Sequence, residues 1–166
     1  MKKTSLVLCF IAGLLLAGSA YSQDKKSWLQ AKQNFLQKGS SSQEEERVNA
    51  VIELTNAMFP DVESEAVDIL LKKISEEITA GENGKKEEKV SGTVLELCSS
   101  ALRNMADEKA TDKIISAAKN AKSNWRARFH AIKGLGGANN PKVIETLAGL
   151  LDDKEVRVKI AALEAL

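Results

Sequence analysis

Residues 125–135 (WRARFHAIKGL) return 31 positions later as residues 156–166 (VRVKIAALEAL). Trp125 falls on Val156, Arg126 on Arg157, Phe129 on Ile160, Ala131 on Ala162, Ile132 on Leu163 and Leu135 on Leu166. The segment before each copy fits at an offset of 30, with Ile114 on Ile144, Ala117 on Leu147 and Ala121 on Leu151. A fainter copy upstream sets Leu102 on Ile132 and Met105 on Leu135. A unit of this length holds two helices and cannot bury its apolar face alone, so each copy must stack on the next. The expected fold class is all-α: an α-α superhelix, a right-handed or gently curved solenoid of antiparallel helix pairs.

Helical periodicity extends well beyond the repeat. Val90, Val94, Leu97, Cys98, Ala101, Leu102 and Met105 trace one helix face, and so do Ala110, Ile114, Ala117, Ala118 and Ala121. No segment alternates polar and apolar residues long enough for a strand. The breaks carry helix-end chemistry. Asp61 after Pro60 can cap the helix that follows. Asn140-Pro141 reads as an N-cap with proline at the first helical position, and Gly136-Gly137 as a helix stop. Eight helices are expected, over roughly 24–38, 43–59, 61–79, 88–105, 108–121, 124–135, 141–151 and 154–166. Gly39-Ser40-Ser41-Ser42 reads as a joint and Gly81 to Lys89 as a solvated loop. That loop is no phosphate cradle, because it lacks GxxxxGK[ST] and follows no strand.

The stretch NPKVIETLAGLLDDKEVRVKIAALEAL, residues 140–166, resembles the HEAT-repeat family, especially the short repeats similar to those of phycobilisome lyases. The likeness is strongest over residues 123–166. It implies that Asp153 and Arg157 are the turn aspartate and second-helix arginine that tie neighbouring repeats together. In the previous repeat Arg126 matches, while Ser123 stands near the aspartate's place. Leu166 closes an apolar helix face without a polar tail, so the repeat array is expected to be incomplete at the C-terminus.

The N-terminus has a different character. Lys2 and Lys3 precede an uncharged run from Leu6 to Ala17, and Ala20-Tyr21-Ser22 places small residues for a cut before Gln23. That order is a secretory signal peptide over residues 1–22, followed by one helical repeat domain over 23–166. The apolar run is short of the roughly 20 residues a membrane helix needs, so no stable span is expected after cleavage. The expected location is periplasmic or extracellular. Of the 24 basic side chains two lie in the leader, leaving 22 against 23 acids. Such a balance gives no general pull toward nucleic acid. Cys98 is the only cysteine past residue 22, so the domain forms no internal disulfide.

Catalytic constellations are not evident. His130 is the only histidine, which excludes a histidine-based zinc site, and no Ser-His-Asp order or nucleophile elbow is present to recruit it. Glu44-Glu45-Glu46 suits the first turn of a helix, and Cys98 lies on an apolar face. No cofactor and no metal is expected. The reading is an exported scaffold for a protein or peptide partner, not an enzyme. Arg126, His130, Lys133, Arg157 and Glu164, on the second helices, are the candidate partner surface. Three alternatives stand beside it. One is an enzyme-associated role like that of the bilin lyases, on the family resemblance alone. Another is nucleic-acid binding around Trp125, where Lys119, Lys122 and Arg128 add positive charge. The third is service as the supporting part of a larger protein.

Overall fold

A computed structural model describes residues 23–83, 90–138 and 140–166. The expected signal peptide and most of the Gly81–Lys89 loop lie outside the described residues. Those residues form eight α-helices and no strand: α1 (23–38), α2 (Glu44–Asn56), α3 (Glu63–Asn83), α4 (Gly92–Arg103), α5 (Glu108–Lys119), α6 (Trp125–Leu135), α7 (Pro141–Leu150) and α8 (Val156–Ala165). The all-α solenoid expected from the repeat is the fold observed.

Side-chain caps set the helix starts. Ser91 accepts from the Val94 N–H, Asp107 from Ala110, Asn124 from Arg126, Asn140 from Lys142 and Glu155 from Arg157. Two of the departures from the expected starts have a clear local cause. Helix α4 begins at Gly92, not 88, because Ser91 takes the cap and leaves Val90 outside the helix. Pro60–Val62 forms a 3-10 turn with Phe59 at its N-cap, so Asp61 sits inside the turn and α3 starts at Glu63. Gly137 closes α6 at φ +79°, a conformation costly for any residue with a Cβ.

The helices pair as α3/α4, α5/α6 and α7/α8, with α1 beside α2 through a hydrogen bond from Asn34 to Glu53, and stack in two layers. One layer runs α3, α5, α7; the other runs α2, α4, α6, α8. Helix α1 joins the first layer, where Trp28 Nε1 donates to Glu65 on α3 at 3.1 Å and Lys32 pairs with the same carboxylate. Gly134 lets α6 close on α4: a Cβ there would stand 2.7 Å from the Cβ of Leu102. The core between the layers is aliphatic, built on Leu54, Leu70, Ile74, Leu102, Ile132 and Leu147.

Two buried ionic ties hold adjacent units. Glu77 on α3 is buried with Lys73 (2.8 Å) and Arg47 of α2 (3.0 Å), and it accepts the Ser91 N–H at 2.8 Å. Burial pushes its carboxyl up, but Lys73, the Ser91 N–H and Arg47 outweigh this, and the net shift is downward. The second tie involves Asp153, the expected turn aspartate. Its partner is Arg128 of the preceding helix pair, while Arg157 takes no part in it. Arg128 Nη1 donates to Asp153 Oδ1 at 3.2 Å, Nη2 pairs with Oδ2, and Nε donates to the Ala118 carbonyl at 2.9 Å. The Arg128 hydrogen bonds hold Asp153 below the usual carboxylate range. The reason is rotational. Arg126 and Arg128 are two residues apart on a helix and face about 200° away from each other. Only the Arg128 side turns toward the α7–α8 corner.

Candidate functional site

The same rotation places Arg126 and Arg157 on the second-helix layer, at a groove across α4, α6 and α8. The groove is walled by Ile78 of α3, Val90 and Leu95 on one side, and Ile160 on the other. Its volume is about 660 Å³, within the range of ligand pockets. Trp125 and Phe129, one turn apart on α6, form the floor. Both are half-buried. The Arg126 guanidinium carbon lies 5.2 Å from the Trp125 ring centroid and that of Arg157 lies 4.4 Å away. Both distances are those of cation–π contact.

His130 is buried at the back of the groove. Its Nδ1 lies 2.9 Å from Ser99 Oγ, and its ring meets Phe129 edge-on at 5.3 Å. Ser99 donates its one hydroxyl proton to the Leu95 carbonyl at 2.9 Å. The contact with His130 is therefore completed by a proton on Nδ1, which leaves Nε2 as an acceptor. Burial, with Lys133 nearby, pulls the imidazole down to about 4 against the opposing pull of Glu96. The histidine is thus neutral near pH 7.

The remaining candidates separate from this cluster. Lys133 does not line the groove; its ammonium pairs with Glu96 at 2.6 Å and lies 5.7 Å from the Phe129 ring. Glu164 is exposed on α8, outside the lining. Arg128 is spent on the Asp153 tie, and Lys119 sits beside Asp112 and Lys142 along α5 and α7. The basic residues around Trp125 are therefore split between two sides of the molecule. Cys98 is fully buried and its thiol is pushed up to about 12, the state of a small core residue. Val90, Leu95, Phe129 and Ile160 were not foreseen as groove residues. The available signal was the 31-residue register, which sets aromatic Trp125 and Phe129 where the next copy has Val156 and Ile160.

With helix pairs, turns and the inter-repeat tie in view, the comparison with known families bears on the C-terminal part. A family model described as HEAT repeats matches residues 89–166. That segment is similar to HEAT repeats. The groove floor, both of its arginines and the Arg128–Asp153 tie fall inside the matched segment. No curated protein and no solved structure matches the chain. HEAT repeats are in general scaffolds for protein interaction, displaying a long surface assembled from successive helices. Among the described residues no group of three or more His, Cys, Asp or Glu side chains is placed to hold a metal. No described helix is long and apolar enough to cross a membrane.

Proposed function

We propose that the chain is an exported helical-repeat scaffold whose α4–α6–α8 groove holds a protein or peptide partner. The observation that carries this is the exposed arginine pair on half-buried Trp125, at the mouth of an apolar groove. Tryptophan and arginine are the side chains most enriched where interfaces concentrate their energy. Export is supported by Lys2 and Lys3, the uncharged Leu6–Ala17 run and the Ala20-Tyr21-Ser22 site.

Panning a displayed peptide library on the purified domain tests the groove. Selected peptides should lose roughly tenfold or more in affinity to Trp125→Ala, with the circular dichroism spectrum retained. Peptides indifferent to that substitution would place the partner surface elsewhere. Fractionation and intact mass test export. The mature chain should start at Gln23 and be found outside the cytoplasm; a full-length chain retained inside would remove that half of the reading.

Nucleic acid is the second reading, because Trp125 flanked by arginines can stack a base. It is the weaker one. A strand needs a track of cations along its phosphates, and here Lys133 is paired with Glu96 while Arg128 and Lys119 lie on the other side.

A further inference from the structure

We infer that the outer face of the α7–α8 pair is an interface between two copies of this chain, related by a two-fold axis. This surface is separate from the α4–α6–α8 groove, and the inference does not depend on what the groove holds.

Helix rotation identifies the face. Lys142 turns toward α5, where it pairs with Asp112, and Ile144, two residues on, faces about 200° away. Arg157 turns toward Trp125 of α6, and Lys159, two residues on, faces away by about the same angle. Leu163 follows Lys159 by four residues, on the same side of α8. Ile144 and Leu163 are 47% and 66% accessible. Ile114 and Ile132, at the same repeat positions one helix pair earlier, are buried in the stack that α7 and α8 continue. Lys159 falls on Arg128, which ties its own helix pair to the next through Asp153. The face therefore repeats, in register, a surface that α5 and α6 already use as an interface.

The other end of the stack is different. On α1, Trp28 and Lys32 face Glu65 of α3, and Gln30, about 200° from both, faces away. Beside it on that side stand Lys26, Asn34 and Gln37, and Asn34 donates to Glu53 of α2 at 3.1 Å. The exposed Leu29 and Leu36 lie roughly 100–120° from Gln30, off this end. A polar end needs no cover, whereas an apolar one does. The apolar match that a second copy offers to α7–α8 is thus its own α7–α8 face and not its polar first helices. A contact between like faces closes as a dimer. Charge agrees with this. Glu155 and Lys159 lie one turn apart on α8, so the face carries both signs and meets its copy without repulsion of one sign.

The face is one helix pair across and ten residues long, about 15 Å, which puts the dimer in the weak class. Sedimentation velocity on the purified protein, from roughly 1 to 300 μM, spans that class. The expected result is a reversible monomer–dimer exchange with nothing larger. Leu163→Lys changes an exposed side chain and should weaken association at least about tenfold, with the circular dichroism spectrum retained. Ile144→Lys, on α7, should do the same and serves as the second variant. Gln30→Lys, at the polar end, should leave the dimer unchanged. Four outcomes would overturn the inference. A protein monomeric throughout leaves the face to another occupant, such as further helices of the same chain. Species that grow past the dimer mean end-to-end stacking, as does a dimer weakened by Gln30→Lys. A dimer indifferent to both Leu163→Lys and Ile144→Lys forms through another surface.

Discussion

Ile132 and Leu163 occupy the same repeat position, yet Ile132 is fully buried and Leu163 is 66% accessible. The same contrast separates Ile114 from Ile144 and Leu135 from Leu166. The difference lies in whether another helix pair covers the residue, which local sequence does not encode. Ile132→Ala should therefore cost about 3 kcal/mol, as transfer and cavity terms add. Leu163→Ala should cost under about 1 kcal/mol. Urea titrations of the two variants check this, and equal costs would refute the register. His130 carries a second prediction. Its folded value of about 4 lies below the roughly 6.5 of an unfolded histidine. Above about pH 6.5 both states are neutral and the stabilising contribution is whole. As pH falls from there toward 4 the unfolded chain gains a proton that the folded chain resists, and stability drops. The loss should be on the order of 2 kcal/mol, allowing for partial solvent access. His130→Gln should flatten the stability profile in that window. Glu77 and Asp153 are held low, so their contributions are lost as pH falls through and below the usual carboxylate range, and the His130→Gln comparison isolates the histidine's share.

Between elements, the burial of Glu77 matters more than the number of surface ion pairs. It joins α2, α3 and the start of α4 through Arg47, Lys73 and the Ser91 N–H. Glu77→Gln leaves two cations buried without their carboxylate and should destabilise by roughly 3–5 kcal/mol. By contrast, removing Glu76, an exposed i,i+4 partner of Lys72 at 3.5 Å, should change stability by less than about 0.5 kcal/mol. A denaturation series containing both variants tests the contrast. The elements themselves were largely legible beforehand. Helix pattern and caps such as Asn140-Pro141 gave seven of the eight starts to within two residues. The start of α4 was missed because Val90 continues the apolar periodicity through a residue that the Ser91 cap leaves outside.

At the scale of the whole molecule, stability is passed along the stack from pair to pair. Helix α8 packs chiefly on α6 and α7, while α6 is held by α4, α5 and α8 together with α3. Native-state hydrogen exchange should therefore show α7 and α8 opening at lower free energy than α4 and α6. Uniform protection across the repeats would mean a single cooperative unit instead. The groove spans three of these stacked helices, so opening of α8 removes Arg157 and Ile160 from it. A peptide bound there should slow exchange in α8 more than in α5, since it favours the closed stack.

The sequence by itself determined the helices, their pairing and the need to stack, because periodicity, capping and a 30-odd-residue unit are local properties. It also brought Arg126, His130 and Arg157 forward as candidates, since repeat register puts them on the second helices. What tertiary structure decided was which neighbours meet. A rotation of about 200° over two residues sent Arg128, not Arg126, to Asp153. Arg126 and Arg157 instead stack on one tryptophan. It left Lys133 paired with Glu96 and Glu164 outside the groove. Those outcomes depend on distances between side chains tens of residues apart, and such distances exist only once the helix pairs have packed.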